Sequence, residues 1–193
     1  MIRSRTAATA ALVMLALAPI ASAVGDLGFE DLTDGNSWSG GQSFVTDGVT
    51  IDVIDDGAFS GGSVQVENPN NAGSGNGLFV EEVILLLSFD FPFTDAWFDY
   101  AVFGGDLAVV VNGTIYAGAD PIDLAGVYPG GVFIDVVEDI QGFTGSVHVH
   151  ANITQFGIGV EDGDIDNVGC IPTPSASSAL VLGVLAASRR RRR

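Results

Sequence analysis

Two histidines two positions apart, His148 and His150 in the run Gly145-Ser-Val-His-Val-His-Ala151, offer the most direct chemistry in the chain. On a strand such a pair shares one face and could chelate a soft divalent metal through its imidazoles, although plain polar alternation writes the same spacing. Neighbouring carboxylates occur at Asp55-Asp56 and Glu81-Glu82, but among 24 acidic residues such pairs arise by chance. The two-carboxylate separation that glycoside hydrolysis needs is not written in spacing along a chain. No nucleophile elbow, phosphate-cradling glycine loop or zinc-spaced Cys/His set is present, so the expectation is a protein that is not an enzyme. Aromatic side chains are the better functional hint. Trp38, Trp97, Tyr100, Tyr116 and Tyr128 could stack on the flat faces of sugar rings, although Trp97 and Tyr100 fall on opposite faces of one strand, with one of them in the core.

Charge narrows the partners. The chain has 193 residues, no lysine, and seven arginines that all lie at its ends: Arg3, Arg5, Arg189, Arg190, Arg191, Arg192 and Arg193. All 24 acidic residues fall between them, so without the seven arginines the formal charge goes from −17 to −24. Such a body repels nucleic acid and anionic lipid, attracts cations, and gains from salt or a bound divalent ion that relieves its self-repulsion. Nucleic acid is excluded as a partner on this ground.

The elements that must position these residues read as strands. Val49, Ile51 and Val53 alternate with polar neighbours, as do Val147, Val149 and Ala151, and again Phe156, Ile158 and Val160. Asn112-Gly113 between β-branched runs is the signature of a two-residue hairpin, because both turn positions need positive φ. The same asparagine opens an Asn-x-Thr triplet, as does Asn152. Long apolar runs before Pro92 and before Gly104-Gly105 read as central strands ended by those residues. The polar, glycine-rich stretch from Asn68 to Gly77 reads as a mobile surface excursion. No helical period appears in this region. The expectation is an all-β domain over 24–169: a two-sheet antiparallel sandwich, most plausibly a jelly roll.

Both ends read as addresses. Residues 1–23 have the basic start, apolar centre and Ala21-Ser22-Ala23 cleavage pattern of a secretory signal, expected as an N-terminal helix removed by signal peptidase before Val24. The single cysteine, Cys170, cannot form an internal disulfide. Residues 170–193 hold Pro172-Thr173-Pro174, an apolar stretch Ser175 to Ser188, and the five-arginine block. Fourteen helical residues span about 21 Å, short of the roughly 30 Å hydrocarbon layer, so the membrane is a transient halt rather than a stable anchor. The arginines keep the tip on the cytoplasmic side.

This tripartite tail resembles the PEP-CTERM sorting signal of bacterial exported proteins, with Pro-Thr-Pro where that family most often has Pro-Glu-Pro. The resemblance covers about the last 23 residues. It implies an exosortase-like membrane enzyme as partner, an inner-membrane intermediate, and a final place at the cell surface or outside the cell. Val168-Gly169-Cys170 is also reminiscent of cysteine-containing C-terminal signals, which makes Cys170 a candidate for processing or modification. More faintly, the stretches 27–53 and 156–168 resemble the first and last strands of galactose-binding-like and carbohydrate-binding jelly rolls. That likeness implies neighbouring chain termini and a structural calcium, with Glu30, Asp31, Asp164 and Asp166 as matching ligands and Asp162 in reserve, since oxygen donors are what calcium takes. Two functions follow as expectations: a non-catalytic exported surface or matrix protein, or a module that binds matrix polysaccharide.

Overall fold

The computed structural model describes residues 24–57, 59–139 and 143–173. The expected signal segment, the tail from Pro174 onward and the arginine block lie outside the described residues. The described residues belong to one compact unit. Among the described residues the regular structure is all strand apart from one 3-10 turn, Pro121–Leu124, whose first amide is absent and whose start is capped by the Asp120 carboxylate. No helix there is long and apolar enough to cross a membrane.

The strands are β1 (Val24–Leu27), β2 (Ser37–Ser39), β3 (Ser43–Thr46), β4 (Val49–Ile54), β5 (Ser63–Glu67) and β6 (Gly77–Ser88). They continue with β7 (Phe93–Val111), β8 (Thr114–Gly118), β9 (Gly126–Tyr128), β10 (Val132–Glu138), β11 (Thr144–Ile153) and β12 (Phe156–Pro172). All pairings are antiparallel. The expected all-β antiparallel body is therefore present, but three of its strands are long: 12, 19 and 17 residues in β6, β7 and β12.

These three strands explain the architecture. They lie side by side in the order β6-β12-β7, and each carries an irregularity at the same level, where Asp162 is partnered by Glu81 and Gly104. Glu82 in β6 has φ 49°, Gly105 in β7 has φ 73°, and the register of β12 slips between Val160 and Asp162. A local irregularity in each of three adjacent strands lets the sheet turn a corner without losing its ladder. On one side of the corner β3, β4 and β8 extend the sheet; on the other β2, β5, β11, β10 and β9 do. Buried residues from both arms, such as Leu85, Val109 and Ile158 from the first and Leu78, Tyr100 and Val149 from the second, belong to one core cluster. Gly104-Gly105 thus bends a continuous strand where the sequence pattern predicts a strand end. Glycine serves both purposes, and only the neighbours that keep pairing with β7 distinguish them.

Alternation along each strand is what separates core from surface. β4 buries Val49, Ile51 and Val53, and β10 buries Val132, Ile134 and Val136 while Phe133, Asp135 and Val137 face out. A smaller cluster of Phe59, Ile84, Ala108 and Val110 covers part of the outer face of the first arm. The two ends of the described chain meet: Val24 is the register partner of Cys170, and β1 takes the place beside β12 that β6 vacates after Ile165.

Candidate functional site

The outer face of the second arm carries most of the residues singled out from the sequence. Asp164 and Asp166 flank Ile165 on β12; Ile165 enters the core, so both aspartates turn to the opposite face. Both are nevertheless fully buried, at 0% exposure. What covers them is the segment 68–77. Asn71 donates to Asp164 Oδ2 from its backbone N–H (2.9 Å) and from Nδ2 (2.6 Å). A Cβ at Gly73 would collide with Asp166 Oδ2, and one at Gly75 with the Glu30 carboxylate. Asn76 donates from its N–H to Glu30 Oε1 (3.1 Å) and from Nδ2 to the Leu32 carbonyl, while its own Oδ1 accepts from Asn68. The expected mobile excursion is therefore a lid held down at both ends. Its glycines are there because the chain passes directly over carboxylates.

The electrostatics follow from that cover. Burial pushes the Asp166 carboxyl up to about 6; the backbone N–H groups of Asn167 and Ser74 oppose this, and the charges of Asp99 and Glu30 add to it. Glu67 is raised as well, first by burial and then by the charges of Asp164 and Asp34. Asp164 Oδ1, Asp166 Oδ2 and Asn70 Nδ2 are buried with no hydrogen-bond partner. Among the described residues no three His, Cys, Asp or Glu side chains converge as a metal-holding group.

The other expected calcium ligands separate. Glu30 reaches the lid, but Asp31 is committed elsewhere: it accepts from Thr46 Oγ1 and from the Asp47 N–H. Burial raises the Asp31 carboxyl, and these two bonds together with one from its own backbone N–H outweigh it, leaving it below its ordinary value. Asp162 sits at the corner opposite Glu81 and Gly104 in register. Asn70 and Asn71 were missed because nothing in a polar glycine-rich run says which carboxylate it will cover.

Farther along the same face lies an aromatic and polar strip. Trp97 is the register partner of Gly169 on one side and of His148 on the other, and His148 faces Asp135 on β10. A Cβ at Gly169 would collide with the indole of Trp97, so the ring lies over bare backbone. His150 Nδ1 is 2.5 Å from Asp95 Oδ1, and its ring stacks on Phe133 at 5.6 Å. Asn167 donates to Asp99 Oδ2 at 2.8 Å. The expected division of Trp97 and Tyr100 between two faces is observed, with Tyr100 fully buried. His148 and His150 share a face, and His150 is taken up by a carboxylate.

The aromatic residues expected to bind sugar have other neighbours. Trp38 stacks on Phe44 at 4.1 Å, and Tyr116 packs on Tyr128 at 4.6 Å while the Tyr128 hydroxyl donates to the Leu124 carbonyl. All three lie partly buried against the core cluster. A cleft of about 300 Å³ opens by the corner, lined by Phe103, Phe143, Pro121 and Asp120 among others.

Of the expected sorting residues, Pro172 ends β12 and Thr173 follows it, its N–H donating to the Pro92 carbonyl at 2.9 Å. Cys170 lies within β12, fully buried, and burial pushes its thiol up to about 11. Pro174, Arg189, Arg190, Arg191, Arg192 and Arg193 lie outside the described residues. No family model, curated protein or solved structure matches the chain.

Proposed function

We propose that the chain is an exported, non-catalytic protein of the cell surface or extracellular matrix. In this reading signal peptidase removes residues 1–23, and an exosortase-like enzyme processes the PEP-CTERM-like tail after an inner-membrane halt. The bent sheet is then the two-layer, jelly-roll-type sandwich, a reading supported by the single core to which both arms contribute.

One observation carries the proposal: Val24 and Cys170 are register partners, so both address segments join the body at a single strand pair. The described residues run to Thr173, and in the sequence the apolar stretch and the arginines follow. Cys170, Ile171 and Pro172 are themselves paired with β7, so a cut that leaves the body's ladder whole falls after Pro172. The test is fractionation of a bacterium carrying an exosortase and expressing the chain with an epitope in the Asn36 turn. The wild type should reach the surface or the medium. Replacing Arg189–Arg193 by alanine should strand it in the inner membrane, and an unchanged distribution would refute the sorting role.

A second reading, a polysaccharide-binding module, is favoured by the Trp97 strip. A flat indole on a sheet face, edged by imidazoles and carboxylates, suits the apolar face and rim hydroxyls of a sugar ring. On a glycan array Trp97→Ala should abolish a signal that Trp38→Ala leaves intact; absence of any wild-type signal removes this reading.

A further inference from the structure

We infer that the cleft at the corner of the sheet is a binding site for a small organic ammonium ion, whose charge is met by carboxylates and whose carbon skeleton lies against two phenylalanine rings. The inference depends neither on the export reading nor on the Trp97 strip. The cleft, about 300 Å³, stands at the lower end of the size of small-molecule sites. Three separate parts of the chain bound it: Val102 to Gly105 at the bend of β7, Ala119 to Pro121 at the start of the 3-10 turn, and Phe143 ahead of β11. Direct contacts hold these parts in place. The Val102 N–H donates to the Phe143 carbonyl at 2.8 Å, the Phe103 ring stacks on Phe79 at 6.4 Å, and the Asp120 carboxylate caps the turn by accepting from the Ile122 N–H. Phe103 and Phe143 nevertheless stay 51% and 58% exposed. Exposed aromatic rings gathered around a concave surface, rather than scattered singly, mark a place where a ligand sits.

Charge selects the ligand. Asp120 lines the cleft, and the Glu161 carboxylate rests against Gly105, another lining residue, where a Cβ would collide with it. Glu161 is held there by the Asp106 N–H at 3.0 Å. The neighbouring Glu138 carboxyl is raised, first by burial and then by the charge of Asp120. Between 24 and 188 the chain has no lysine or arginine, and its two histidines stand opposite Trp97 and Asp95. No side chain of the body therefore supplies the countercharge at this cleft. A hydrated metal ion would gain little from phenyl rings, and among the described residues no three His, Cys, Asp or Glu converge to hold one. An alkylammonium answers both walls, because its charge suits the carboxylates and the faces of Phe103 and Phe143 while its methylenes cover the rings and Pro121. A free amine and the lysine side chain of another protein share this chemistry.

Titration of the full chain with n-butylammonium, followed by the amide NMR signals of Phe103, Gly104, Gly105 and Phe143, tests this. We expect saturable shifts at these amides with Kd on the order of 1 mM, as suits so small a ligand. n-Butanol, which has the same shape without the charge, should bind about tenfold more weakly. Asp120→Asn keeps an oxygen to cap the turn but removes the charge, and Phe143→Ala shortens an exposed side chain; each should weaken binding roughly fivefold. Asp90→Asn with Asp135→Asn removes exposed charges elsewhere and should leave Kd unchanged. A glycine peptide with one central lysine, titrated in parallel, separates the two sources: tighter binding of the peptide assigns the site to a protein's lysine, and tighter binding of butylammonium to a free amine. Equal binding of butanol overturns the inference. So does an Asp90/Asp135 variant weakened as much as Asp120→Asn, or the lack of any saturable shift up to about 20 mM of either ammonium probe.

Discussion

Replacing Asn112 should unlock two hairpins at once. Its φ is 52° and that of Gly113 is 79°, the left-handed pair that a two-residue turn between β7 and β8 requires. Its side chain reaches across to the neighbouring turn between β11 and β12: Oδ1 accepts from the Thr154 N–H (2.8 Å), Thr154 Oγ1 (2.9 Å) and the Gln155 N–H (3.2 Å), and Nδ2 donates to the Asn152 carbonyl (2.8 Å). These bonds are near water, so each contributes toward the lower end of the usual net range, about 0.5 kcal/mol, or about 2 kcal/mol for the set. Alanine also bears about 1 kcal/mol for the left-handed backbone. Asn112→Ala should therefore lose about 3 kcal/mol, a fall of roughly 6–12 °C in a domain of this size. Asn112→Gly, free of the backbone penalty, should lose less, and Asn112→Asp, which keeps the acceptors, least. Urea unfolding of the three variants, followed by tryptophan fluorescence, reads the order. An alanine variant within about 0.5 kcal/mol of wild type, or a glycine variant below it, would refute the account.

Cys170 should resist iodoacetamide at neutral pH in the native protein and react at the rate of a free thiol once urea unfolds it, since burial holds it as the thiol; rapid native alkylation would show that the end of β12 opens. Gly169→Ala should displace the Trp97 ring, costing about 1–3 kcal/mol and shifting tryptophan emission, whereas an unchanged spectrum would mean the ring has another seat. The Thr94 hydroxyl, followed by His150, holds the Asp95 carboxyl below its ordinary value of 3.8. A lowered folded-state value means stability that is complete above 3.8 and fades as pH falls below it. The gap in melting temperature between wild type and Asp95→Asn should accordingly be present at neutral pH and close in strong acid, and a gap that persists in acid would contradict the assignment. Phe156→Ala, in the middle of the core, should cost about 3–5 kcal/mol by chemical denaturation.

Period-two alternation determined the strand character of β4, β11 and β12, the opposite faces of Trp97 and Tyr100, and the turn at Asn112-Gly113. These are consequences of pleat geometry and of positive φ, which act over a few residues and so are legible in spacing alone. The absence of lysine and arginine from the body likewise made it strongly anionic. Tertiary structure alone decided the rest. Gly104-Gly105 is a bend because β12 goes on pairing past it, and Asp31 departs from its expected partners because Thr46 binds it first. The segment 68–77 is a lid because Asn71 meets Asp164 across 93 positions of chain. Spacing encodes local periodicity, whereas the partner of a buried carboxylate is chosen by which distant strands the fold lays side by side.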